Sequence, residues 1–156
     1  MKIVGLTGGI GSGKSVILEV FSSYGVPCYK SDNRAKELMQ KSPELIRQIK
    51  VLFGEDIYQD KKLNRSKLAD IVFGDKKKLK SLNALVHPLV NKDFQFFLNQ
   101  QNTAYVIKEA AILFETGVAK DCDETILVTA PEKLRIQRVM KRDKINAEHI
   151  KSRMNH

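Results

Sequence analysis

Short apolar runs alternate with stretches of helical periodicity along this chain. Three runs of apolar and β-branched residues, at positions 2–6, 105–108 and 125–128, are typical of buried parallel strands. A fourth run at positions 26–29 is a weaker candidate because Pro27 cannot donate a hydrogen bond to a neighbouring strand. After the first run, apolar residues at helical spacing predict a helix that Gly25 ends; they are Val16, Ile17, Val20, Phe21 and Tyr24.

The middle of the chain, from position 33 to about position 101, has the pattern of several helices and no convincing strand. Ser42, Pro43 and Glu44 form a favourable helix start, and Gly54 ends that helix. We expect Pro88 to end one helix and to open the next. Interior positions are expected at Leu68, Ile71, Val72, Leu79, Leu82, Leu85, Val86, Val90, Phe94, Phe97 and Leu98. This order of elements predicts an α/β domain with a parallel sheet flanked by helices and a helical insert.

The composition is that of a globular protein and argues against a membrane or secreted protein. The 156 residues suffice for one domain with a small insert, and 42% hydrophobic with 29% charged residues is typical of a globular protein. No apolar run approaches the length of a membrane span, and the first residues do not resemble a secretory signal. Cys28 and Cys122 lack metal-ligand spacing and make a poor disulfide framework, so we expect a cytoplasmic protein that binds no membrane.

The net charge of +9 indicates an anionic partner. One interpretation is nucleic acid, whose phosphates clustered lysines and arginines would neutralise. The basic residues are scattered, however, and the tightest group has no interleaved aromatic residues; it consists of Lys76, Lys77, Lys78 and Lys80. A solvated helix start explains that group better than a nucleic-acid patch, and a positive field also attracts small phosphate-rich substrates. We therefore expect no nucleic acid among the partners.

The segment from Gly8 to Ser15 matches G-x-x-x-x-G-K-[ST] and lies between an apolar strand and an amphipathic helix. Glycines permit backbone angles at which successive N–H groups converge on phosphate oxygens, and the following helix adds its positive end. A lysine at this position reaches the β- and γ-phosphates, and the final hydroxyl completes a Mg²⁺ shell. The alternative is a glycine-rich turn that ends in Lys-Ser by chance. The motif predicts binding of ATP and Mg²⁺ by Gly9, Gly11, Ser12, Gly13, Lys14 and Ser15.

Two acids follow predicted strands. Asp32 comes just after the second strand, where a kinase needs a group that orients or deprotonates the acceptor hydroxyl; the alternative is an N-cap for a helix over residues 33–40. Glu109 closes the strand at positions 105–108 and is a candidate ligand of Mg²⁺ through water, or else a solvated strand end. The pattern offers no account of Lys108 beside it.

Three arginines, Arg135, Arg138 and Arg142, lie on one face of the helix predicted after Pro131. Arginines on a lid neutralise charge on a phosphoryl group during transfer. The alternative is a solvated basic face, with salt bridges to neighbours such as Asp143.

Several segments together resemble the dephospho-coenzyme A kinase family over nearly the whole chain. The opening at positions 3–15 alone is shared with other P-loop kinases, and the combination is specific. The segments similar to the family are that opening, Asn64-Arg65 with the apolar residues after it, Asn83 to Pro88, Ile112 to Glu115, Gln137 to Asp143, and Arg153-Met154.

The resemblance implies a P-loop kinase-like α/β fold with a helical substrate-binding insert and a lid. It also implies transfer of the ATP γ-phosphoryl group to the ribose 3′-hydroxyl of dephospho-coenzyme A, the final step of coenzyme A biosynthesis, with Lys14 and Asp32 in catalysis. Asp32 occupies the place of the family's base, whereas Lys30 stands where the family has another acid. By the same resemblance, Arg65 and His87 line the substrate side, and Arg138 and Arg142 belong to the lid.

From these residues we expect a nucleotide-binding core at residues 1–32 and 103–135, a substrate-binding cap at residues 33–102 and a lid at residues 136–156. Family chains continue beyond this last segment, so we expect a C-terminal truncation with weak ATP binding and an exposed sheet edge. A monomer or weak homo-oligomer is expected. The alternatives are a nucleoside or nucleoside monophosphate kinase, a nucleic-acid-binding P-loop switch, and a chain that binds nucleotide without catalysis.

Overall fold

The computed structural model describes residues 1–114 and 117–154. Glu115, part of one family-like segment, and residues 155–156 of the predicted lid lie outside the described residues. The chain divides into two units, one formed by Met1–Lys30 with Gln101–His156 and the other by Ser31–Gln100. The separation of residues 136–156 as a lid stays a prediction.

The described residues form strands and helices in alternation. The strands are β1 (Lys2–Thr7), β2 (Cys28–Lys30), β3 (Tyr58–Gln59), β4 (Lys62–Leu63), β5 (Tyr105–Glu109) and β6 (Glu124–Leu127). The α-helices are α1 (Lys14–Ser23), α2 (Ser31–Lys41), α3 (Pro43–Phe53), α4 (Arg65–Phe73), α5 (Lys76–Asn99), α6 (Glu132–Asp143) and α7 (Ala147–Met154). Short 3₁₀ helices lie at Glu55–Ile57 and Val118–Asp121.

The first unit is built on a parallel four-stranded sheet of order β2-β5-β1-β6, which confirms the predicted α/β class and its three stronger strands. The weaker candidate is also a strand, but it begins after Pro27, whose carbonyl accepts from the Ile107 N–H at 2.9 Å. Pro27 thus takes part in the hydrogen-bond ladder only through its carbonyl, because it has no N–H to donate. Because all four strands run the same way, their carboxyl ends share one edge of the sheet.

Helix α1 returns along the sheet and ends as predicted, with Gly25 at a φ of +77° directly after the cap residue Tyr24. Its buried residue is Leu18, which packs with Leu6 of β1, whereas the predicted apolar residues Val16, Val20 and Tyr24 are exposed. Periodicity predicts that a helix forms. Which side of α1 faces the sheet depends on the direction in which the preceding loop enters the helix.

The second unit is helical around a core formed by Leu45, Ile49, Ile57, Tyr58, Leu63, Leu68, Val72, Leu82 and Val86. The start of α3 is confirmed, because the Ser42 side chain accepts from the Leu45 N–H and Gly54 caps the other end. The lysine-rich group is confirmed as a solvated helix start, with Asp75 capping α5 through the N–H groups of Lys77 and Lys78.

Two predictions for this unit are wrong. Helix α5 runs through Pro88 without a break, because Leu82, Val86 and Phe94 on both sides of the proline are buried on one continuous face. The segment is also not free of strands. A hairpin pairs Tyr58 with Leu63, and its turn holds Asp60 and Lys61 at φ values of +48° and +62°. Strands of two residues are too short to show alternation, and the turn lacks the usual glycine.

Helix α5 is the longest helix, with 24 residues, but it carries many lysines. Among the described residues, no helix combines the length and the apolar character that a membrane-spanning segment requires.

Candidate phosphate-binding site

The connection between β1 and α1 forms a loop whose N–H groups are available to an anion. This phosphate loop (residues 8–15) holds Gly11 and Gly13 at φ values of +75° and +104°, angles that favour glycine. Gly13 caps α1 without a side chain, and the N–H groups of Gly13, Lys14 and Ser15 donate to no residue that the structure describes. A helix start with free N–H groups binds phosphate or carboxylate. The geometry suits a phosphate, and the binding of ATP by this loop stays a prediction.

Lys14 and Glu109 form an ion pair beside the loop. The pairing of β1 with β5 sets Glu109 opposite Leu6, and the Lys14 Nζ donates to the Glu109 Oε1. Both side chains are largely buried, with exposed fractions of 13% and 12%. Glu109 is therefore no solvated strand end, and that alternative is wrong. A phosphate bound in the loop would compete with Glu109 for the ammonium group.

Helix α6 places two arginines against the backbone carbonyls of the loop. The Arg135 Nε donates to the Ile10 carbonyl at 2.9 Å, and the Arg138 Nη1 donates to the carbonyls of Ser12 at 3.0 Å and Gly11 at 3.3 Å. The approach is close: a Cβ on Gly11 would lie 2.5 Å from the Arg135 carbonyl oxygen. Gly11 is thus required for the packing of α6 as well as for its own φ.

Arg142 lies apart from the loop contacts. Its guanidinium donates to both carboxylate oxygens of the neighbouring Asp143, at 2.6 and 2.9 Å. The hydrogen bond to Asp143 raises the pKa of Arg142. The predicted face of three arginines therefore divides: two residues contact the loop, and Arg142 makes the kind of neighbouring salt bridge that the alternative interpretation described.

The candidate base lies in the second unit. Helix α2 begins at Ser31, so Asp32 belongs to its first turn, and the interpretation of Asp32 as an N-cap for residues 33–40 is wrong. No described residue forms a hydrogen bond or ion pair with the Asp32 side chain, which is half-buried. Helix α2 is held to α5 by Arg34, whose Nε and Nη2 donate to the two oxygens of Asp93 at 2.8 and 2.6 Å. Such a forked pair fixes the helix that carries Asp32.

The two predicted substrate-side residues belong to the same helical unit. Arg65 is the first residue of α4, behind the cap Asn64, and His87 lies on α5; both are exposed. Helices α2 and α4 each pack against α5, so Asp32, Arg65 and His87 lie on elements that support one another.

Sequence reasoning missed the environment of Lys108. Its side chain is 5% exposed, and burial lowers the pKa of the ammonium group, opposed by the nearby Cys122 and Asp121. Gly5 lies beside Lys108 in the sheet, and a Cβ there would meet the side chains of Leu113 and Cys122 at 2.6 and 3.0 Å. The signal available in the sequence was a lysine at the end of an apolar strand.

The part of the chain that the structure describes contains no metal site made of protein side chains alone. No three His, Cys, Asp or Glu side chains there are placed to hold a metal ion. The exposed Ser15 and the neighbouring Glu109 suit an ion that takes most of its ligands from phosphate and water, which is the usual habit of Mg²⁺.

Comparison with known proteins adds independent findings to this geometry. The family described as dephospho-CoA kinase matches residues 2–156. The dephospho-CoA kinase of Porphyromonas gingivalis is 41% identical over 154 residues, which are 99% of this chain and 76% of the relative. That of Mannheimia succiniciproducens is 39% identical, over 98% of this chain and 72% of the relative.

Solved structures show the same fold. A crystal structure from Thermus thermophilus has a TM-score of 0.89 at 35% identity and covers 97% of this chain and 78% of that one. The dephospho-CoA kinase of Campylobacter jejuni has a TM-score of 0.67 at 26% identity and covers 98% and 78%. The chain is thus similar to these proteins over nearly its whole length.

Proposed function

Because the chain belongs to the dephospho-CoA kinase family, we propose that it transfers the γ-phosphoryl group of ATP to the ribose 3′-hydroxyl of dephospho-coenzyme A. The observation that carries the proposal is the phosphate loop, where free N–H groups at the start of α1 lie beside the ammonium group of Lys14. This arrangement suits a polyphosphate, and the acceptor, dephospho-coenzyme A, is inferred from the family.

The loop and Lys14 bind the triphosphate in this proposal. The N–H groups of Gly13, Lys14 and Ser15 donate to phosphate oxygens, and the positive end of α1 strengthens the attraction. Lys14 exchanges Glu109 for β- and γ-phosphate oxygens and neutralises the charge that develops there during transfer.

Asp32 is the general base. It accepts the proton of the ribose hydroxyl while the hydroxyl oxygen bonds to the γ-phosphorus. The bond from that phosphorus to the β–γ bridging oxygen breaks, ADP leaves, and Asp32 passes its proton to solvent. The support for this role is a carboxylate that no described residue engages, on a helix start held by Arg34 and Asp93.

Further residues bind the two substrates. Ser15, and Glu109 through water, would hold Mg²⁺, which when bound neutralises charge on the β- and γ-phosphates. In this proposal Arg138, which has N–H groups beyond the one used on the loop carbonyls, donates to phosphate. Arg142 does the same after it exchanges Asp143 for a phosphate oxygen. Arg65 and His87 bind dephospho-coenzyme A in the helical unit.

The test is a coupled assay of ADP release with and without dephospho-coenzyme A. We expect ADP release to depend on dephospho-coenzyme A and to be slow with nucleosides. Asp32→Asn should lower kcat by about 10²–10⁴-fold, the range for a general base, while ATP binding is kept.

Glu44→Gln is the matched control, since Glu44 is an exposed acid in the first turn of α3 in the same unit. Equal ADP release with and without dephospho-coenzyme A would mean that water is the acceptor, which contradicts the proposal. Turnover by Asp32→Asn equal to that of Glu44→Gln would remove Asp32 from the reaction.

A further inference from the structure

Arg135 contacts the phosphate loop at the backbone of Gly9 and Ile10. The Arg135 Nε donates to the Ile10 carbonyl, and a Cβ on Gly9 would lie 2.5 Å from Nη2, so the guanidinium lies over Gly9 and Ile10. The side chain is half-buried, and its Nη groups donate to no residue that the structure describes.

The contact of Arg135 with the Ile10 carbonyl also sets the direction of the next N–H in the loop. In a planar trans peptide, the carbonyl of one residue and the N–H of the next point in opposite directions. Because the Ile10 carbonyl points to Arg135, the N–H of Gly11 points away from Arg135. The Arg138 contact with the Ser12 carbonyl does the same for the N–H of Gly13.

Glycine makes such control necessary. Gly11 and Gly13 have φ values of +75° and +104°, and residues without a Cβ exchange between backbone conformations more readily than others. A loop with several glycines loses conformational entropy when it orders around an anion, and outer contacts that order it beforehand reduce that loss.

We propose that Arg135 is a positioning residue for the phosphate loop: by holding the Ile10 carbonyl, it fixes the direction of the Gly11 N–H and orders the loop that leads to the N–H groups proposed to bind the triphosphate. The charge of its guanidinium also adds to the positive potential at the loop. Arg135 acts through the loop backbone and touches no reacting atom. This inference rests on the proposed use of ATP.

The test compares Arg135→Met, which keeps the aliphatic stem and removes the donors, with Lys133→Met. Lys133 lies on the same helix, is exposed, and points away from Arg135 because two residues along a helix differ by about 200°. We expect Arg135→Met to raise the dissociation constant of ATP, measured by calorimetry, by about 10–100-fold, the range for one charge-assisted hydrogen bond. Lys133→Met should stay within about two-fold of the wild type.

Steady-state kinetics separate positioning from a general loss of structure. Arg135→Met should raise KM for ATP and leave KM for dephospho-coenzyme A, measured at saturating ATP, within about two-fold of the wild type. A purely structural role would lower the fraction of folded enzyme and leave both KM values unchanged, which would overturn the inference. Equal rises of both KM values would also overturn it.

Arg135→Lys keeps the proposal testable if Arg135→Met does not fold. It keeps the charge without the planar fork, so its dissociation constant for ATP should exceed that of the wild type. A dissociation constant equal to that of Lys133→Met would contradict the inference. A wild type that binds ATP without phosphorylating dephospho-coenzyme A contradicts the proposed function alone, and one that does not bind ATP contradicts both.

Discussion

Replacing Lys14 should affect stability and catalysis separately, because Glu109 loses its partner. In Lys14→Met the carboxylate of Glu109, with an exposed fraction of 12%, lies largely out of water without a counter-charge. Breaking a fully buried pair costs about 3–5 kcal/mol and an exposed pair about 0–1 kcal/mol. From the exposed fractions, we expect Lys14→Met to lower the free energy of unfolding by about 2–4 kcal/mol. In a chain of this size that corresponds to a melting temperature lower by roughly 4–16 °C.

The double variant Lys14→Met/Glu109→Gln removes the uncompensated charge. We expect it to regain most of the lost stability, because a neutral amide loses less on burial than a carboxylate. Catalysis should not return: kcat should remain about 10²–10³-fold below the wild type in both variants, the range for losing one stabiliser of transition-state charge. Stability and turnover thus separate in this pair of variants.

Urea unfolding followed by far-ultraviolet circular dichroism measures the stability, since the chain has no tryptophan. The nucleotide is left out, so that bound ATP does not add to the stability. A single variant within about 0.5 kcal/mol of the wild type would refute the reasoning, because that is the range of surface substitutions. A double variant no more stable than the single one would refute it as well, and recovered turnover would remove Lys14 from the reaction.

Two further predictions concern stability. Pro88→Ala should raise the free energy of unfolding by about 1–3 kcal/mol, because the N–H inside α5 is restored. Pro43→Ala, at the start of α3 where proline is accommodated, is the control, and a destabilised Pro88→Ala would contradict a continuous α5. Burial lowers the pKa of Lys108 in the folded chain, so unfolding takes up a proton and the free energy of unfolding rises with pH from that lowered value to the ordinary 10.5. Lys108→Met should flatten this rise relative to the exposed Lys80→Met; equal pH profiles by urea unfolding would contradict it.

The phosphate loop shows how much local sequence determines. The glycines that take positive φ, the helix that starts at Lys14 and the strand before it all depend on residues within a few positions of one another. The same holds for the caps at Ser42 and Asp75 and for the end of α1 at Gly25. Such signals are readable because the physical cause and its effect lie next to each other in the chain.

Local rules failed where packing outweighed them. A proline ends most helices. At Pro88, however, the buried residues on both sides of the proline keep α5 continuous. The hairpin at Tyr58 to Leu63 is held by packing of its two ends in the helical core, and its strands are too short to leave a periodic pattern.

The sequence by itself predicted the phosphate loop, the strands of the parallel sheet and most of the helices, and it proposed Asp32 as the candidate base. Only the tertiary structure decided what those residues touch. Lys14 meets Glu109 across 95 positions, and Arg135 meets Ile10 across 125. A side chain's type limits the partners that it accepts, but the partner that it reaches depends on how the sheet and α6 pack, which no short stretch of sequence contains.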